Sequence, residues 1–316
     1  MDGLLVVDKP IGPTSHDVVA RVRRVLGERR IGHTGTLDPM ASGVLPLVIG
    51  QATRLARFLD QDHKGYDALV CLGISTDSYD AHGEPVGERH NGAIPSREAI
   101  DRALDQFRGT FWQQPPAFSA KKIDGRRSYV IAREHARASA VEPSVALPAP
   151  VQVTTHLIDI VNTLDDLVAL RVVCSSGFYV RALAHDLGQA LGTGAHLVAL
   201  CRTEANGMTL AAAVPLAALE DREHGHARVL DAIIPLPDTL PALPRLTLTE
   251  DGLKRAVHGG TIASVHVFGG TAAMPQWSDP ATGRAFTRLM TLNGELAAVA
   301  EWRRGEGVLH PVVVLM

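Results

Sequence analysis

Asp38 is the residue best placed to do chemistry. It stands in Gly32-His33-Thr34-Gly35-Thr36-Leu37-Asp38-Pro39, a segment too rich in turn formers to be a regular element. A carboxylate fixed in such a turn can be aimed at a substrate, for nucleophilic attack or proton transfer. An aspartate before a proline is equally a structural turn residue. Two other segments have the chemistry to serve it. Gly177-Phe178-Tyr179-Val180-Arg181 projects Arg181 from the first turn of a helix, where a guanidinium can pair with an acid. Lys64-Gly65-Tyr66 sets an aromatic ring beside a cation, a combination suited to stacking a base and holding its phosphate. Singly, these also read as a surface arginine and a half-buried tyrosine anchoring a strand.

Missing patterns exclude other chemistries. Neither G-x-G-x-x-G nor G-x-x-x-x-G-K-[ST] occurs, which disfavours nucleotide hydrolysis. The 14 histidines include no H-E-x-x-H, and His224-Gly225-His226 lies in an acidic, alanine-rich stretch, so no metal site is expected. Ser175-Ser176-Gly177 lacks the G-x-S-x-G elbow of a hydrolase.

The elements that must hold these residues follow from periodicity. Leu4–Val7 reads as a buried strand. After Gly12-Pro13, Thr14 or Ser15 caps a helix with Val18, Val22, Val25 and Leu26 on one face. Val44–Ile49 and Leu69–Leu72 are apolar runs, and Pro95-Ser96 opens a helix bearing Ile100, Ala103, Leu104 and Phe107. Val151–Val153 and Leu167–Cys174 read as paired strands. The helix after Gly177 carries Val180, Leu183, Ala184, Leu187 and Leu191, with Gly188 and Gly192 weakening its end. Residues 113–150, with Pro115-Pro116 and a stretch ending in Pro143, Pro148 and Pro150, read as a long insertion standing on the main sheet. Pro235, Pro237, Pro241 and Pro244 mark a linker, since prolines block both helix and central strand. Asn293-Gly294 between apolar runs signals a hairpin in a small β-rich tail.

The 316 residues, 46% hydrophobic and 21% charged, leave room for one large domain and a smaller one, and exclude disordered and fibrous classes. No apolar run reaches the length of a membrane span, and three scattered cysteines encode neither disulfides nor a thiolate zinc site, so a cytoplasmic location is expected. The net charge is −3, yet residues 108–137 carry seven basic residues against two acidic ones, a local patch able to bind phosphates.

Taken together, these segments resemble the bacterial TruB family of pseudouridine synthases. The resemblance runs in order through Gly3-Leu4-Leu5-Val6-Val7-Asp8-Lys9-Pro10, Gly32–Leu45, Lys64-Gly65-Tyr66, Ser119-Ala120-Lys121-Lys122, Gly177–Arg181 and Gly194-Ala195-His196-Leu197. It implies an α+β fold: a catalytic domain over residues 1–238, built on a central mixed, largely antiparallel sheet with flanking helices, and a small PUA-like domain over 245–316. It also implies isomerisation of the T-loop uridine (position 55) of tRNA to pseudouridine, with no cofactor, metal or guide RNA, by a monomer whose partner is the tRNA T-arm. In that reading Asp38 is the essential carboxylate, acting by attack on C1′, addition to C6 or removal of a ribose proton. Arg181 pairs with it, and Tyr66 stacks on the flipped base and assists removal of the C5 proton. Tyr179 and Leu200 border the target base, and His33 packs into the opened T-loop. Lys64, Arg30 and the cluster Lys121, Lys122, Arg126 and Arg127 meet phosphates, the cluster on a thumb at about 113–145 that folds over the RNA.

Overall fold

The computed structural model describes residues 1–59, 63–117, 122–123, 126–127, 147–221, 223–270 and 285–316. Of the thumb expected at about 113–145, residues 113–117 and the backbone of paired strands at Lys122–Ile123 and Arg126–Arg127 are described, and the rest lies outside the described residues.

The amino-terminal strand β1 (Gly3–Lys9) leads into α1 (Ser15–Leu26). Thr14 caps that helix and Asp17 returns the bond to the Thr14 N–H, a reciprocal pair that satisfies two otherwise orphaned donors. Then follow β2 (Ile31–His33), β3 (Ala41–Ile49), β4 (Lys64–Leu72), α2 (Arg97–Leu104) and β5 (Gly109–Gln113). After the insertion come β6 (Val151–Leu164), β7 (Leu167–Cys174), α3 (Val180–Leu191) and β8 (Ala195–Ala205). The sheet order is β1-β3-β8-β4-β7-β6-β5, with the short Val214–Pro215 strand beyond β1. All neighbours along β1 to β5 are antiparallel except β3 and β8, which run parallel. The expected mixed, largely antiparallel sheet is therefore present.

Helices cover one face. Val18, Val19 and Val22 of α1, Ile100 and Leu104 of α2, and Leu183 and Leu187 of α3 pack on Leu5, Val7, Leu47, Val70, Leu72 and Leu170. The other face of β1 and β3 is buried too: Leu4 and Val48 join Leu240, Met290, Val299 and Val313 in a second core. Burial on both faces explains why β1 reads as an unbroken apolar run.

The described residues beyond 244 include a small sheet, β9 (Arg245–Thr247), β10 (Phe286–Met290), β11 (Leu296–Arg303) and β12 (Val308–Val314), beside helix α4 (Glu250–Val257). This is the small β-rich domain expected. Its hairpin turns where Asn293-Gly294 predicts, with Gly294 at φ 81° and the Thr291 N–H bonded to the Glu295 carbonyl.

Three expectations change. The loop holding Asp38 begins later, because Ile31–His33 pairs with β3. The proline-rich linker is pinned in place: Ile234 and Pro235 pair with β1, Leu236–Asp238 form a single 3-10 turn, and Leu240 is buried in the shared core, so short elements that tolerate proline dock where a long helix or central strand could not. The glycines of α3 do not weaken it. Gly192 (φ 69°) closes the helix in the left-handed conformation, and a Cβ on Gly188 would stand 2.2 Å from the Ala195 amide nitrogen, so only glycine lets β8 start against the helix.

Candidate active site

The Asp38 loop is tied down on every side. The Ser15 hydroxyl accepts the Leu37 N–H at 2.9 Å and donates to the Leu37 carbonyl at 3.0 Å, fixing the loop to the start of α1. Gly12 donates its N–H to the Pro39 carbonyl at 2.8 Å, and Thr34 donates to the Pro46 carbonyl at 3.0 Å. Arg202, on β8 and 1% exposed, donates from Nη2 to the Gly35 carbonyl at 2.9 Å and from Nε to the Val44 carbonyl at 2.7 Å. The carboxylate is thus carried on a frame set by α1, β3 and β8.

Arg181, in the first turn of α3, meets it. Its Nε lies 2.8 Å from Asp38 Oδ2, while its Nη1 donates to the Ser78 carbonyl at 3.0 Å and stands 3.5 Å from Asp80 Oδ2. Arg181 and Asp80 are buried, whereas the Asp38 side chain keeps 37% of its surface open. One guanidinium therefore orients a reachable carboxylate and is itself held by a second, buried one. Asp80 is fixed in turn by the Ser78 hydroxyl at 2.7 Å and the His82 N–H at 3.0 Å.

Tyr66 faces this array from β4, 7% exposed, with the Arg202 guanidinium close enough to influence its hydroxyl. Burial pushes the phenol up to about 12, with the Arg202 guanidinium opposing the rise, so the group is un-ionised at neutral pH. Lys64 Nζ lies 3.2 Å from Ser176 Oγ. These side chains, with Phe178, Tyr179, Val180 and Leu200, wall a cavity of about 230 Å³.

Of the residues expected at the site, Asp38, Tyr66, Arg181, Lys64, Tyr179 and Leu200 line this cavity. His33 and Arg30 do not. His33 packs edge-on to His16 at 5.2 Å, and Arg30 is exposed in the turn before β2. The side chains of Lys121, Lys122, Arg126 and Arg127 are outside the described residues. Cys174 is a buried thiol whose pKa burial raises to about 12, which suits a packing residue rather than a reactive one.

Three contributors escape sequence reasoning: Asp80, Arg202 and Lys9. Lys9 is wholly buried, donating from Nζ to the Pro10 and Pro13 carbonyls at 2.9 Å each. Burial pulls its ammonium from 10.5 down to about 8; the Asp38 charge resists that fall and Arg202 adds to it. The folded pKa lies below the unfolded one, so between about pH 8 and 10 the unfolded chain binds more protons and stability rises with pH. Urea unfolding is expected to show wild type gaining about 2–3 kcal/mol over this window relative to Lys9→Met, which lacks the titrating group. Parallel pH dependence in the two proteins would refute it.

Residues 23–180 match the model of the TruB family pseudouridylate synthase N-terminal domain, and residues 181–239 match that of the tRNA pseudouridylate synthase B C-terminal domain. The chain is 43% identical over 319 residues to tRNA pseudouridine synthase B of Solibacter usitatus, covering 100% of both chains. It is 42% identical to the Ralstonia nicotianae protein of the same name, over 81% of this chain and 79% of that one. Among solved structures, a Cbf5-Nop10-Gar1 complex contains a chain with a TM-score of 0.71 and 26% identity, covering 99% of this chain and 85% of that one. The chain belongs to the TruB family of pseudouridylate synthases. No described helix is long and apolar enough to cross a membrane.

Proposed function

We propose that this enzyme isomerises the T-loop uridine of tRNA to pseudouridine, taking the flipped base into the Asp38 cavity, without cofactor or guide RNA. The observation that carries this reading is the reachable Asp38 carboxylate held 2.8 Å from a buried arginine, beside a tyrosine ring. A base in a stacked duplex cannot meet such a recessed group, so the nucleotide leaves the stack, at a cost of a few kcal/mol that stacking and phosphate contacts offset. Tyr66 supplies a π face for that stacking. Its raised pKa makes the resting phenol a poor base, so proton removal at C5 would require its hydroxyl to be activated by Arg202 as charge develops. The names of the relatives, tRNA pseudouridine synthase B, support tRNA as the substrate.

Tritium release from tRNA labelled at uridine C5 tests the proposal. Multiple-turnover release with purified protein, needing no guide or metal and abolished when the T-loop target is changed to cytidine, is expected. No release by folded protein that binds the tRNA would point instead to a guide-dependent enzyme.

Lys121, Lys122, Arg126 and Arg127 are assigned to the tRNA backbone. Neutralising all four is expected to weaken tRNA binding and to reduce the salt slope of log affinity by about 3, from roughly 0.7–0.9 per lost phosphate contact. Turnover at saturating tRNA stays unchanged. An unaltered salt titration would remove these residues from the interface.

A further inference from the structure

The start of α3 poses a problem that its own sequence does not solve. Tyr179 is the N-cap residue, and no side chain of the helix caps that end. Two residues later Arg181 must point at Asp38. The missing support comes from Gln113, the last residue of β5 and 1% exposed. Its Oε1 accepts the Tyr179 N–H at 2.8 Å, and its Nε2 donates to the Tyr179 carbonyl at 3.0 Å. A carboxamide carries its acceptor and its donor on separate atoms, spaced here to meet the N–H and the carbonyl of one residue, which leucine cannot do.

The next residue faces a different task. Gln114 Nε2 donates to the Pro115 carbonyl at 3.2 Å and to the Pro148 carbonyl at 2.7 Å, joining the two ends of the insertion where it leaves β5 and returns to β6. Adjacent glutamines therefore hold the base of the insertion and the helix start that carries Arg181.

We propose that Gln113 is a positioning residue for the isomerisation, setting Arg181 through the Tyr179 backbone, and that its link to Gln114 makes this setting depend on the base of the insertion. The inference rests on the proposed function for its catalytic consequence, but the clamp itself does not. Loss of the clamp leaves Asp38, Tyr66 and Leu200 in place but frees the first turn of α3, with Arg181, to shift, and misplacement on the order of 1 Å is enough to slow chemistry by about 10²-fold.

The test uses the full chain and a T-arm tRNA, with Gln113→Leu, Gln113→Glu, Gln114→Ala and a control, Val153→Ala. Val153 is 2% exposed and pairs with Phe111 of β5, so its truncation loosens the same sheet edge without touching Tyr179. Gln113→Leu is expected to cut the single-turnover rate constant by roughly 30- to 100-fold with tRNA affinity within about threefold, while Val153→Ala lowers the melting temperature but keeps the rate. Gln113→Glu, the same size, keeps the acceptor but sets a carboxylate oxygen against the Tyr179 carbonyl in place of the donor, so a comparable rate loss is expected, and it serves as a second variant should the leucine fold poorly. Gln114→Ala slows wild type several-fold and adds nothing to Gln113→Leu, the non-additivity of a shared path. Hydrogen exchange at the start of α3 reads the clamp without turnover, and speeds up in Gln113→Leu but not in Val153→Ala.

A Gln113→Leu rate within about threefold of wild type, or an equal loss in Val153→Ala, overturns the positioning role, and additive effects of the two glutamines overturn the coupling. A wild type with no activity would sink the proposed function and leave the exchange measurement to decide the clamp.

Discussion

Asp38→Asn is expected to abolish tritium release, a loss of at least about 10⁴-fold, while the protein still binds tRNA and folds normally. The amide keeps an oxygen for Arg181 but has neither the charge to attack carbon nor the basicity to take a proton. Stability is expected to change by less than about 1 kcal/mol, because the Asp38 side chain is over a third open and Arg181 retains the Ser78 carbonyl and Asp80. Residual release within tenfold of wild type would remove Asp38 from the chemistry. Loss of tRNA binding alongside activity would place it in recognition instead.

The second large effect belongs to Arg181. Its fork reaches in three directions, to Asp38, the Ser78 carbonyl and Asp80, which a lysine's single ammonium cannot reproduce. Arg181→Lys is therefore expected to lower the rate at least about 100-fold with near-normal tRNA affinity. Arg181→Met goes further, since it strands the buried Asp80 carboxylate and costs about 3–5 kcal/mol of stability. The pairing can be separated from the catalysis. Adding Asp80→Asn to Arg181→Met should restore much of the melting temperature but none of the activity. A double variant that regains activity would mean that Arg181 serves only to neutralise Asp80.

The strongest local signals in the sequence match the structure well. The α1 cap, the Asp38 turn, the spacing of apolar residues along α3 and the Asn293-Gly294 hairpin each depend on neighbours a few residues away. The first three also place two of the site's main groups. What could not be seen is what the sheet brings together. Asp80 reaches Arg181 because its segment is bound to Leu197 at the start of β8, and Arg202 reaches Gly35 because β8 runs parallel to β3. Such pairings leave no periodic trace. β6 was legible only at Val151–Val153, because register shifts at Thr155/Leu157 and Ile160/Asn162 break the alternation that marks a strand. Nothing beside Lys9 in the sequence marks it as buried; its ammonium meets the Pro10 and Pro13 carbonyls only because the chain folds back over it.

The second core, where Leu4 and Val48 meet Val299 and Val313, joins opposite ends of the sequence. Contacts of such separation are slow to form, because the chain between them must be closed before burial rewards it. During synthesis on the ribosome, β1 can find β3 early, but one of its faces stays wet until the last strands emerge. The sheet that carries the Asp38 loop should therefore acquire its final rigidity late. Chains stopped before β11 would present an apolar sheet face, an aggregation hazard of the kind chaperones intercept.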